Sequence, residues 1–104
     1  MMNISAKARA VADVEGFGNR GARKVRLVVN FSEKKGDLWV DGVPMWMTGI
    51  DWDGDKLDGG IAKGDLLEVV GVLRQKKATV NGEERLQWDL SLSDPVEIVR
   101  RKGG

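Results

Sequence analysis

The stretch 73-LRQKKATVNGEERLQWDLSL-92 decides the fold. At its centre, Asn81-Gly82 is the dipeptide of a two-residue type I′ turn, a geometry that needs positive φ at both central positions. Beyond it, Leu86, Trp88, Leu90 and Leu92 alternate with Gln87, Asp89 and Ser91, the period-2 pattern of a strand with one apolar face. The stretch predicts a long antiparallel hairpin. Trp88 falls on the apolar parity and is expected in the core.

Upstream, Asp65–Leu73 (DLLEVVGVL) is a nearly continuous apolar run and reads as a well-buried strand, with Gly71 as a bulge or sharp bend. Lys24–Phe31 (KVRLVVNF) puts Val25, Leu27, Val29 and Phe31 on one face and Lys24, Arg26 and Asn30 on the other, a half-buried strand with a basic outer side. Ile4–Val14 alternates with small residues among Lys7 and Arg9 and reads as the first strand. Asp55–Lys63 (DKLDGGIAK) is interrupted by two glycines, each costing about 1 kcal/mol against alanine in a helix interior. One helical turn at most is expected there. The end, RRKGG, reads as a frayed basic and glycine tail over residues 100–104, after a domain spanning 1–99. Five strands in this length predict a small closed barrel, which also removes the exposed edges such apolar strands would create.

Composition narrows the chemistry. The chain has 104 residues, enough for one domain, and contains neither cysteine nor histidine. Disulfides, thiolate metal sites, the commonest zinc ligand and every His-dependent triad are thereby excluded. No apolar run approaches the roughly 20 residues of a membrane span, and the start lacks the apolar core of a secretory signal. A soluble cytoplasmic protein is the expectation. Net charge is only +1, but residues 1–32 carry +4, residues 33–68 carry −5 and residues 69–104 carry +2. Such asymmetry fits a basic face able to attract a polyanion.

Catalysis and metal binding find little support. Asp51, Asp53 and Asp55 imitate the opening of a calcium loop, but Lys56 stands where glycine is required and Ala62 where glutamate is. A polar turn ending the third predicted strand is the better reading. No phosphate-binding GK[ST] ending and no G-x-G-x-x-G opening a helix is present. The expectation is a protein that is not an enzyme, with no cofactor, no bound metal and no small-molecule substrate. A carboxylate-metal hydrolase ranks last among the alternatives.

Trp46 and Trp52 share parity with Thr48 and Ile50 and would project from one face of a strand, about 20 Å apart. Parity alone fits two readings. Both rings fill the core, or both form a platform on which bases stack while cations reach the phosphates. Trp39 lies in a turn-rich stretch between the second and third predicted strands, where exposure without a ligand is harder to explain.

With these residues in place, the chain resembles the bacterial and phage single-stranded DNA-binding protein family, over about Ser5 to Val99. The carrying segments are 45-MWMTGIDW-52, similar to the family's third-strand pattern of a tryptophan and a second aromatic six residues on, and 62-AKGDLLEVVGVLRQKKATVNGEERLQWDLSL-92. In the second, Lys63-Gly64, Gly71, Leu73, Arg74 and Arg85 occupy the family's places; Asn30–Ser32 resembles the close of its second strand. The resemblance implies an all-β, five-stranded OB-fold Greek-key barrel with a short or degenerate helical turn between strands 3 and 4. It implies non-catalytic binding of single-stranded DNA, with little sequence preference, in replication, recombination or repair. Trp46 and Trp52 would stack on bases, with Trp39 a third contact. Arg9, Arg26, Lys76, Lys77 and Arg85 would touch phosphates, with Lys34 and Lys35 as lesser candidates. Assembly into a homodimer or homotetramer is also implied. The chain departs from the family in three ways. Lys77-Ala78 stands where a further stacking aromatic is usual, the connector after Trp52 is short and glycine-broken, and the sequence stops at RRKGG instead of an acidic tail. These departures point to a compact, phage-encoded or accessory member. An OB-type module that binds RNA or a protein partner is the alternative.

Overall fold

The computed structural model of the chain describes residues 2–30, 32–42 and 44–102, and the side chains of all of these except 32–35 and 39–41. Nine strands form: β1 (Met2–Ala10), β2 (Glu15–Phe17), β3 (Ala22–Val29), β4 (Ser32–Lys35), β5 (Leu38–Asp41), β6 (Met45–Asp51), β7 (Leu66–Val80), β8 (Glu83–Leu92) and β9 (Glu97–Arg100). Five of them close a barrel in the order β1-β3-β6-β8-β7, with β7 returning to β1. All neighbours are antiparallel except β6 and β8. The all-β closed barrel expected from the alternation is therefore present.

The core follows the parities read from sequence. Val25, Leu27 and Val29 of β3, Leu67, Val69 and Leu73 of β7, and Leu90 and Leu92 of β8 are buried together with Ala8, Ala10 and Met47. Phe31 lies outside the described residues. Trp88 is half-buried and packs against this cluster, as its parity requires. Leu86 shares that parity but is exposed, because the β7–β8 hairpin runs on past the barrel as a free-standing arm. The arm closes on Asn81 and Gly82, whose φ values of 52° and 79° are those of the expected turn.

Four expectations are corrected. The first strand ends at Ala10 and not Val14, and a separate short strand, β2, folds back on β3. Gly71 makes no bulge: the register runs unbroken through it, with Ile4 on one side and Leu92 on the other. Glycine is needed there because the Ser91 backbone carbonyl leaves no room for a Cβ. The segment between β6 and β7 contains no helical turn among the described residues. Instead, Leu57 and Ile61 drop from it into the base of the barrel, where a plugging element is needed to keep water from the core. Finally, residues 100–102 of the expected frayed tail are pinned: β9 pairs with β7 through Arg100. Arg101 Nη1 then donates to Gly60 O at 2.9 Å, and Lys102 N to Asp65 Oδ1 at 3.0 Å.

Candidate nucleic-acid interface

Alternation along β6 turns Met45, Met47, Gly49 and Asp51 inward and Trp46, Thr48 and Ile50 outward, with Trp52 next on the outer parity. Trp46 is 49% exposed and Trp52 56% exposed, and neither belongs to the core cluster. The core reading of this pair is excluded. Two large aromatic rings half in water cost free energy that folding itself does not repay, which marks a surface kept for contact.

Cross-strand pairing sets what surrounds them. One rung of the outer face runs Arg9, Val28, Trp46. The next runs Arg26, Thr48, Asp89, Arg74, and the third Lys24, Ile50, Ser91, Val72. The two indoles thus stand at the ends of a strip about 20 Å long, with Lys24 and Arg26 on its β3 side. Arg26 Nη1 donates to Thr48 Oγ1 at 3.1 Å, which ties the guanidinium to the strip. Trp52 Nε1 donates to Ser91 Oγ at 3.2 Å, and the Phe17 ring meets Trp52 edge to face at 5.7 Å between centroids. Lys24 Nζ sits 5.5 Å from the Phe17 centroid, a cation–π distance, and 3.6 Å from Glu15 Oε1.

The predicted cations do not all gather here. Arg9, Arg26, Lys76 and Arg85 lie on the outer parity of their strands, the tryptophan face. Lys77 pairs with Leu86 on the opposite face of the arm. Lys76 Nζ is 3.0 Å from Asp89 Oδ2, Lys77 Nζ 3.3 Å from Glu84 Oε1, and Arg85 Nη2 3.4 Å from Glu83 Oε2. These are exposed or half-exposed pairs of small net worth, easily exchanged for a phosphate. Lys34, Lys35 and Trp39 belong to the β4–β5 hairpin, where Lys34 pairs with Trp39 and Lys35 with Leu38; their side chains lie outside the described residues.

Two residues of the strip escaped the sequence reading. Phe17 belongs to the unforeseen β2, and Lys24 was recognised only as outward-facing. Both were marked by a mirrored alternation about the GNRG turn, Glu15 against Lys24 and Phe17 against Ala22.

The aspartates that crowd Trp52 are largely neutralised or turned away. Asp51 is fully buried, and its carboxylate accepts from the backbone N–H of Lys56 (2.7 Å), Leu57 (2.9 Å) and Gly54 (3.0 Å). Burial pushes its carboxyl up, but these three donors and the nearby Lys56 charge together hold it below the usual carboxylate range. Lys56 Nζ bridges Asp55 at 2.9 Å and Asp53 at 3.0 Å, and both carboxylates raise its pKa. Lys56 thus offsets one of the two exposed carboxylates an incoming polyanion would meet at this end. The turn is built by these contacts, and Asp51 is committed to them.

No family model and no curated protein matches the chain. Among solved structures, its fold matches that of the small single-stranded DNA-binding protein of Streptomyces coelicolor at a TM-score of 0.79 and 20% identity, covering 98% of this chain and 97% of that one. The Plasmodium falciparum SSB in its complex with ssDNA matches at 0.62 and 16% identity, covering 95% and 93%. The PriB protein of Ralstonia solanacearum matches at 0.52 and 16%, covering 94% and 98%. At these identities the likeness establishes the fold: a five-stranded OB-type barrel over nearly the whole chain.

Proposed function

We propose that this chain is a compact, non-catalytic single-stranded DNA-binding protein that coats single strands during replication, recombination or repair, in the bacterial cytoplasm or that of a phage-infected host. The observation that carries this reading is the outer strip of the barrel. Two half-exposed indoles, three rungs apart, are edged by Arg9, Lys24, Arg26 and Lys76. Bases stack on Trp46 and Trp52 whatever their sequence, because every base has a π-face. Arg9, Arg26, Lys76 and Arg85 meet the phosphates from the same face, while Lys77, Lys34, Lys35 and Trp39 contribute from the two arms. No helix among the described residues is long and apolar enough to cross a membrane.

Titration with poly-dT should quench tryptophan fluorescence, and log K should fall with log salt at about −0.7 per phosphate contact, near −3 for four cations. Absence of quenching, or equal affinity for duplex DNA, would overturn the reading.

Self-association belongs to the same proposal. Among the described residues, β1 pairs with β3 only at Arg9 and Ala10, so its first half offers an open edge. Beside that edge, Met2, Ile4, Met45, Leu73 and Trp88 line an apolar cleft of about 540 Å³ where the barrel mouth opens. A second β1 pairing along this edge would cover it. Light scattering should give a multiple of the 11.4 kDa chain mass, and Ile4→Asp should shift it toward the single chain. A wild-type mass of one chain at all concentrations would exclude it.

A further inference from the structure

At the Trp52 end of the strip lies a hollow of about 610 Å³ lined by Phe17, Asn19, Arg20, Trp52 and Asp53, among others. Its size is that of a small-ligand site, and its aromatic wall and the backbone beneath it are held in place. Trp52 is held by Ser91 and by the edge of Phe17. The turn carrying Asn19 and Arg20 is locked to the loop carrying Asp53, since Gly54 packs on the Gly21 carbonyl so tightly that a Cβ has no room. The Asp51 carboxylate ties that loop down from below. The strip needs none of Asn19, Arg20 or Asp53, yet together they supply the hollow with an amide, a guanidinium and a carboxylate.

We infer that this hollow is a base-reading subsite that takes cytosine in preference to thymine at one position of the bound strand. The inference rests on the proposed single-strand binding and adds a preference that the tryptophan strip by itself does not have. Asp53 is an acceptor only, and a carboxylate recognises cytosine through its N4 amino group. Thymine places O4 at that point, so acceptor would face acceptor. The Asn19 amide can donate to the ring nitrogen or O2 of the same base, and Arg20 can reach the flanking phosphate. Of the two rings, set 68° apart, one can stack on the base while the other meets its edge, and Lys56, 3.0 Å from Asp53 Oδ2, offsets the carboxylate charge without removing its acceptor capacity. A strand bound without register elsewhere would slide until a cytosine fills this position.

Competition at fixed salt tests this with three oligomers: all-dT, the same with one central dC, and the same with one central N4,N4-dimethyl-dC. The dC oligomer should bind about three- to tenfold tighter than all-dT, the worth of one or two hydrogen bonds. The dimethyl oligomer, which has no N4 donor, should lose that advantage. Asp53→Asn should bring the dC-to-dT ratio to about one; the ratio is the readout, since removing a carboxylate raises affinity for every oligomer. If the wild type binds all three alike, or Asp53→Asn keeps the ratio, the base-reading subsite is wrong while single-strand binding stands. If none of the three binds, both fall.

Discussion

Replacing Trp46 and Trp52 together by alanine should lower affinity for a dT oligomer by about 2–6 kcal/mol, a loss of roughly thirtyfold or more, at 1–3 kcal/mol per stacked base. Each single substitution should cost about half of this. The two effects should add, because the rings stand about 20 Å apart with no shared partner. Stability should barely follow for Trp46, whose ring is half in water and which does not belong to the core cluster. Trp52 should cost somewhat more, since its removal strands the Ser91 hydroxyl and uncovers Phe17. The measurement is anisotropy of a labelled oligomer, paired with urea denaturation of each variant. Trp46→Phe and Trp52→Phe should recover a good part of the binding, because a smaller π-face still stacks. A double alanine variant that unfolds cooperatively at the wild-type midpoint and still binds normally would remove these rings from the site.

The barrel was legible in the sequence wherever alternation was strict. β8 alternates strictly from Leu86 to Leu92 and β3 from Lys24 to Leu27, β7 is marked by its apolar run between turns, and Asn81-Gly82 fixes the register of the last pair by turn chemistry alone. What could not be read is held by contacts distant in sequence. β9 and the pinning of Lys102 depend on Asp65 and on an edge of β7, and nothing in the composition of EIVRRK announces them. β4 and β5 occupy a stretch read as turn-rich, and four residues each are too few for a periodic signal. For the site, parity placed the tryptophans on one face but could not say which face was wet. The barrel closing on the opposite side decides that. Parity could not separate the aspartates either, since Asp51, Asp53 and Asp55 all share it with Met45, Met47 and Gly49; β6 ends at Asp51, which is buried, while Asp53 and Asp55 beyond it are exposed and of a different kind.

That difference leads to the largest expected effect on stability. Asp51→Ala leaves three backbone N–H groups without an acceptor, one of them, on Leu57, deeply buried. An unsatisfied buried donor costs about 1–3 kcal/mol, and water can reach the Gly54 and Lys56 amides in part, so a loss of roughly 3–5 kcal/mol is expected. Urea denaturation should show it as a lower midpoint with the slope unchanged. Since single domains hold only about 5–15 kcal/mol in reserve, this is a large share of the fold. The same carboxylate should make stability depend on pH in a definite direction. Its folded pKa lies below the unfolded value of about 3.9, so the stabilisation is complete above that value and is lost as pH falls through the folded one. Asp65 acts in the same window, its carboxyl lowered by the Ala62 and Lys102 amides against the effect of burial, with Arg101 adding to the lowering. Asp51→Asn should therefore flatten the loss of stability below about pH 4 without abolishing it, and the variant that also carries Asp65→Asn should flatten it further. Because the Asp51 loop carries both Trp52 and Asp53, strand affinity should fall in these variants at pH 7 even where the barrel remains folded. An acid limb as steep as that of the wild type would mean that the carboxylate holds the loop by shape and not by charge.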